Sequence, residues 1–383
     1  MTRSCVLPQL RDVFLPLNPR FSSIMISEKK DEVKQWKRVE VNLEDHVIVP
    51  SFPDGLSVES YDNYYDEYLT KLTGEPLPQH RPLWELHIIK YKTSKAASHF
   101  IFKLHHALGD GYSLMGALLS CLKRADNPSL PLTFPSTQSA SSEIKSNNTA
   151  AGIITSWVPR ILSGIYDFGW SFLKSTCKED DKTPIRSGNV GLGFLPIEIS
   201  TIELSLYQIK LIGTKLGTTV NDILAGIIFL GIRRYMQETE TESCISESTA
   251  LVLLNTRNIG GYMSAKDMNK AHNKKIWGNQ FAFLHIAMPQ LINEQRYSNV
   301  VDFVYEAQKQ ITRLRNSPAV YLTAQCFEIL RKCKGPEVVA EVIHSTLNKS
   351  SIAITNMIGP VEQVTLADHP IKGMYFMVSG SPQ

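Results

Sequence analysis

Residues 126–150 read DNPSLPLTFPSTQSASSEIKSNNTA. Proline interrupts helices and strand ladders, and Ser, Thr and Asn offer the backbone local partners, so this run reads as a flexible linker. It divides a chain of 383 residues, longer than one hydrophobic core normally serves. The chain is therefore read as two packed units, residues 1–125 and 186–383. Between them, 126–185 holds the linker and an amphipathic segment.

Both units mix strand and helix signals. In the first, KRVEVNLEDHVIVP at 37–50 alternates like a strand, and SVESYDNYYDEYLTKLT at 57–73 has a serine start and helical spacing. LWELHIIKYK and HFIFKLHH read as two strands, and YSLMGALLSCLKRA as a helix. In the second, IEISTIELSLYQIKLIGTKLG predicts a strand and a helix, and TTVNDILAGIIFLGIRRYM a well-capped helix. TALVLLNTRN and QFAFLHIAMP read as buried strands, SNVVDFVYEAQKQITRLRNS and PEVVAEVIHSTLNKS as helices, and SIAITNMIGP as a late strand. The fold class is α/β (α+β): two domains, each a mixed sheet flanked by helices.

Hydrophobic residues make up 43% and charged residues 20%, as in ordinary folded proteins. Forty basic against 37 acidic residues leaves no charge-based case for nucleic acid. Six cysteines, at 5, 121, 177, 244, 326 and 333, form no CxxC pair and suggest a reducing compartment. The opening MTRSCVLPQLRDVFLPLNPRF has prolines where a secretory signal needs an unbroken apolar run. No stretch of 18 uncharged apolar residues occurs, so the expectation is a cytosol-facing protein, soluble or peripherally bound. In 151–175, Ile153, Trp157, Ile161, Ile165, Phe168 and Phe172 share one helical face, while Pro159, Arg160 and Asp167 argue against burial in lipid. Two readings stand: a linker helix packed on the protein, or a helix lying in a membrane interface.

Residues 103–112 read KLHHALGDGY. Adjacent residues in an extended chain point to opposite faces, so His105 and His106 cannot converge on one ion, and no Cys or His cluster supplies further ligands. No metal is expected. As turn chemistry, Asp110 favours a turn and Gly109 and Gly111 supply positive φ. As a general-base site, one imidazole faces a cavity, its neighbour supports it from the other face, and Asp110 ties down the turn through a basic partner. The spacing alone leaves these two readings open.

HHALGDG resembles the HHxxxDG motif of the wax ester synthase/diacylglycerol acyltransferase family. That family belongs to the CoA-dependent acyltransferase superfamily, with the fold of chloramphenicol acetyltransferase. RPLWELHII at 81–89, LGTTVNDILAGIIFLGIRRYM around Asn221 and Asp222, LVLLNTRN, GNQFAFLHIAMP and ITNMIGPVEQV follow in the family's order. The resemblance runs from about residue 10 to 380 and has the character of the plant branch. DFGWS at 167–171 is similar to the DFGWG motif of plant HxxxD acyltransferases acting on phenolics and alkaloids. It lacks the last glycine and lies too early in the chain, so it is assigned to the amphipathic segment.

The resemblance implies a two-domain fold with a tunnel at the domain interface, and transfer of a fatty acyl group from acyl-CoA to a long-chain alcohol or diacylglycerol. Acyl-CoA is a co-substrate and no cofactor is bound. His106 is the implied general base, with no covalent acyl-enzyme. His105 supports it, Asp110 is structural with Arg257 as its candidate partner, and Gly111 belongs to the turn. Asn221 and Asp222 are candidate substrate-binding residues, Asn221 as an oxyanion donor; the alternative is that they cap a helix. Peripheral attachment at the cytosolic face of the endoplasmic reticulum, or at the plasma membrane, is implied through 151–175. Family members begin earlier and continue further, so the chain is expected to be truncated at both ends. Two alternatives accompany this reading: a soluble CoA-dependent acyltransferase for a smaller alcohol, and an inactive truncated homologue that binds lipid or CoA.

Overall fold

A computed structural model describes residues 3–27, 34–134, 150–188, 197–257, 263–268, 276–291 and 299–378, with the backbone alone at 150–161, 265 and 266. The first unit opens on a helical arm: α1 (Arg3–Gln9), a π turn (Leu10–Phe14) and α2 (Leu15–Leu17). Val6, Leu10, Phe14 and Leu17 recur every three or four residues and bury one stripe in the core. The prolines of this stretch hide that helix in the sequence; Pro8 lies inside α1 and Pro16 in the first turn of α2. A hairpin follows, β1 (Ser23–Ile26) with β2 (Gln35–Arg38).

The alternation at 37–50 is not one continuous strand. Asn42 accepts from the backbone N–H of Glu44 and caps α3 (Leu43–His46); extended chain resumes only at β3 (Val47–Ile48). A capping Asn followed by two acidic residues starts a helical turn, and here that chemistry overrides the alternation. After α4 (Val58–Gly74), β4 (Trp84–Ile89) forms the centre of a three-stranded sheet, parallel to β3 and antiparallel to β5 (His99–Leu104). All six β4 residues are buried because both faces are covered. The arm packs on one side, with Phe14 edge-on to Trp84, and α4 on the other, where the Tyr68 hydroxyl meets His87 Nδ1 at 2.7 Å. From β5 the chain turns into α5 (Gly111–Ser120) and β6 (Lys123–Arg124).

α6 (Ala150–Thr176), from the segment between the units, packs on the second unit, which contains α7 (Leu206–Leu216), α8 (Val220–Thr239), β7 (Thr249–Asn255), α9 (Ala265–Met268), β8 (Phe281–Ala287), α10 (Val300–Arg315), α11 (Ala319–Lys334), α12 (Pro336–Lys349) and β9 (Ile352–Ile354). β7 is central, antiparallel to β8 and parallel to β9. Phe229, Leu284, Ile286 and Phe303 form the heart of its core. The strand expected at the start of IEISTIELS does not form: Ile202 is 85% exposed, Ile199 packs by its side chain against the cluster that includes Ile89, and the segment makes no ladder with any strand among the described residues. α11 has no counterpart among the helices predicted from the sequence.

The chain crosses between the units after β7. Met268 and Trp277 sit in the first unit's core, and β10 (Val364–Leu366) pairs with both β6 and β11 (His369–Pro370). Most of the polar linker, 135–149, lies outside the described residues; just before it, Thr133 accepts from the backbone N–H of Val361.

α6 docks with its polarity inverted. Its inward stripe is small and polar: Gly164 against Pro318, Asp167 with Arg313 at 3.3 Å, Ser171 and Ser175 with the two ring nitrogens of His285, and Lys174 with Asp180 at 2.9 Å. Leu162, Ile165, Tyr166 and Phe172 face outward, 59–65% exposed. DFGWS falls within this helix.

Candidate active site

The loop from β5 to α5 is held at several points. His105 N–H donates to Leu83 O at 3.1 Å, and Leu108 N–H to His105 O at 3.0 Å. Asp110 then caps α5, its Oδ1 accepting from Ser113 N–H at 3.1 Å. Arg257, just past the end of β7 in the other unit, reaches the same carboxylate: Nη1 to Oδ2 at 2.8 Å and Nη2 to Oδ1 at 2.9 Å. Its remaining donors meet Ile276 O, Asn255 Oδ1, Ser113 Oγ and Gly278 O, and the guanidinium lies 5.0 Å from the Tyr112 ring centroid. A guanidinium with every donor occupied is structural. The pairing expected between Asp110 and Arg257 is therefore made, behind the loop.

Neither Gly109 nor Gly111 has positive φ, contrary to the turn chemistry read from the sequence. Close approach is what they serve. A Cβ on Gly109 would lie 3.0 Å from Ser113 Cβ, and one on Gly111 3.0 Å from Met357 Sδ. The positive φ of this region belongs to Gly278, at +119°, whose carbonyl accepts from Arg257.

β5 has ended at Leu104, so strand alternation no longer separates the histidines. Both are exposed and line one cavity. His105 Nδ1 accepts from Ala107 N–H at 3.0 Å. A backbone N–H only donates, so the neutral ring carries its proton on Nε2. Surrounding atoms, then neighbouring His106 and Lys34, push the His105 pKa below its usual value and favour that neutral ring. His106 Nδ1 lies 3.2 Å from Asn279 Oδ1, while Asn279 Nδ2 donates to the His106 carbonyl at 3.0 Å. The Phe281 ring stands edge-on, with centroids 6.0 Å apart.

The cavity, about 3300 Å³, draws its wall from both units. Phe100, Phe102, Leu114 and Leu118 come from the first, and Phe281, Phe283, Ile343 and Leu347 from the second. Pockets for drug-sized ligands measure about 300–1,000 Å³, so this cavity has room for long apolar substrates. Among the described residues, no group of three His, Cys, Asp or Glu is placed to hold a metal ion.

Asn221 and Asp222 stand elsewhere, in the first turn of α8, and neither belongs to the cavity wall. Asp222 Oδ2 accepts from Thr219 N–H at 2.9 Å and its own N–H donates to Thr219 Oγ1 at 3.2 Å, a reciprocal cap. Asn221 Oδ1 accepts from Asn356 Nδ2 at 3.4 Å. The structure thus brings His105, His106 and Gly111 to the cavity and Asp110 behind them. Asn279 was missed; its only sequence signal is a polar pair, Asn-Gln, at the head of the apolar strand FAFLHIA.

The sequence profile of the wax ester synthase/diacylglycerol acyltransferase catalytic domain matches residues 28–170, and that of the WS/DGAT C-terminal domain matches 277–383. Wax ester synthase/diacylglycerol acyltransferase 4 of Arabidopsis thaliana is 28% identical over 388 residues, covering 95% of this chain and 73% of its own. Number 8 of the same series is 29% identical over 378 residues, covering 92% and 76%. The solved wax ester synthase/diacylglycerol acyltransferase from Marinobacter aquaeolei VT8 superposes with a TM-score of 0.52 at 13% identity, over 97% of this chain and 77% of that one, and so shares the fold. With both profiles matched in order, the chain belongs to the wax ester synthase/diacylglycerol acyltransferase family, a family of acyltransferases.

Proposed function

We propose that the chain moves a fatty acyl group from acyl-CoA to the hydroxyl of a long-chain alcohol or of diacylglycerol, with His106 as general base. The observation that carries the reading is the pair of neighbouring imidazoles in one large apolar cavity, of which only one is free to act. His105 has its Nδ1 occupied by Ala107 and its proton on Nε2. His106 Nε2 takes the hydroxyl proton as the oxygen attacks the thioester carbonyl. The tetrahedral intermediate expels CoA thiolate, and the proton passes from His106 to that sulfur. The products are an ester and free CoA. His105 supports the loop, and Asp110 and Gly111 hold its shape.

Both acceptors dissolve in membranes, which favours peripheral attachment at the cytosolic face of the endoplasmic reticulum or at the plasma membrane. The outward apolar stripe of α6 supports that contact. Among the described residues, no single helix is long and apolar enough to cross a membrane. The test is labelled palmitoyl-CoA with hexadecanol or diacylglycerol, comparing the protein with His106→Ala. Ester from the unmodified protein alone is expected. Ester with short alcohols only would assign a smaller acceptor, and none above the variant's background would overturn the reading.

A further inference from the structure

We infer that Asn279 is the positioning residue that sets the protonation pattern of His106, a step that rests on His106 being the base. In a free neutral histidine side chain the proton prefers Nε2, the wrong nitrogen for a base that must work through Nε2. The hydrogen bond made by the other nitrogen decides which is protonated. Asn279 makes that bond, and its orientation is not arbitrary: Nδ2 donates to the His106 carbonyl, which can only accept. Turning the amide over would set two carbonyl oxygens against each other. Asn279 Oδ1 must therefore accept from His106 Nδ1–H, at 3.2 Å, leaving a lone pair on Nε2. The two adjacent histidines so carry opposite tautomers.

Asn279 is itself held on both sides. Gln280 N–H donates to Asp110 Oδ2 at 2.9 Å, and Gly278 O accepts from Arg257 Nη2 at 2.6 Å. The Asp110–Arg257 pair thus aims the base from two directions, through its own loop and through the peptide that carries Asn279. Because Asn279 comes from the second unit, His106 is poised only while the two units are docked.

The test is the imidazole spectrum of protein labelled with ¹⁵N-histidine, with the His106 signals assigned by their absence in His106→Ala. The expected pattern is a protonated Nδ1 and unprotonated Nε2 in the unmodified protein, changing toward Nε2–H in Asn279→Ala. Nε2–H in the unmodified protein, or an unchanged pattern in Asn279→Ala, overturns the inference. The unmodified protein's spectrum decides even if the alanine variant does not fold, and it needs no ester synthesis, so it stands apart from failure of the proposed reaction. In kinetics, Asn279→Ala is expected to lower kcat about 10²-fold with little change in KM. Asn279→Asp keeps an acceptor for Nδ1–H but charges it, so the acidic limb of the kcat/KM profile moves to higher pH. A merely structural residue would lower the melting temperature and leave that limb in place.

Discussion

Asp110 and Arg257 close a two-pronged ion pair between the units, with side chains 8% and 1% exposed. Removing one partner leaves the other charge buried and unpaired, which costs about 3–5 kcal/mol. Asp110→Ala and Arg257→Ala are each expected to lose stability on that scale in urea unfolding, and the double variant less than their sum. Arg257→Lys is not expected to rescue, since an ammonium cannot reproduce the fork that meets the carboxylate and the four surrounding acceptors. A double variant whose loss equals the sum would show that the pair is not coupled.

One helix offers a pair of glycines with opposite expectations. In α8, a Cβ on Gly226 would lie 2.6 Å from Val304 Cα and 2.7 Å from its nitrogen, backbone that cannot step aside. Gly226→Ala is expected to destabilise by about 1–3 kcal/mol as α8 and α10 are forced apart. Gly231 has nothing within 4 Å of its Cβ position and is exposed. There the gain in helix propensity wins, and Gly231→Ala is expected to stabilise by about 0.5–1 kcal/mol. Thermal melts of the two variants check the sign directly.

Ile165 and Phe172, 59% and 61% exposed on the outer face of α6, give the proposed membrane contact its test. A fully buried side chain of this kind is worth about 1.5–3 kcal/mol. Ile165→Glu/Phe172→Glu is therefore expected to reduce co-sedimentation with phosphatidylcholine/phosphatidylserine vesicles at least tenfold. The melting temperature should hold, because neither side chain faces the core. Equal pelleting of variant and parent would contradict the contact.

Acid should weaken the docking of α6. Burial, then the nearby Lys174 charge, pushes the His285 pKa down to about 4 from an ordinary value of 6.5. The folded state keeps this ring neutral while the unfolded chain takes up a proton at about pH 6.5. Its contribution is thus full above pH 6.5, declines as pH falls toward 4, and totals roughly 3 kcal/mol. His46, His99 and His105 shift downward as well and add to the same slope. Urea unfolding at pH 7.5, 5.5 and 4.5 should show the decline. His285→Gln, which can still bond both serines, should flatten it.

Local chemistry was largely legible in the sequence. Ser57 and Thr219 start helices at the predicted places, the runs at 84–89, 249–255 and 281–287 are strands, and the His-His-Asp-Gly loop ends a strand and opens a helix. What escaped depends on chain segments far apart. Asn279 reaches His106 across 173 residues, and no spacing rule connects them. Turn chemistry predicts backbone freedom for the glycines of the motif, whereas Met357 and Ser113 decide their size. The run at 197–205 predicts a strand, yet among the described residues it pairs with none and packs only by side chains such as Ile199, and prolines hide the helical arm at 3–17.

The proposed chemistry requires that His106 does the proton transfer while His105 does not. The most direct measurement is kcat for acyl transfer in His106→Gln and His105→Gln, with folding verified by thermal melts. General-base catalysis contributes about 10²–10⁴-fold, so His106→Gln is expected to lose that much and His105→Gln markedly less. Equal losses, or a greater loss in His105→Gln, would contradict it.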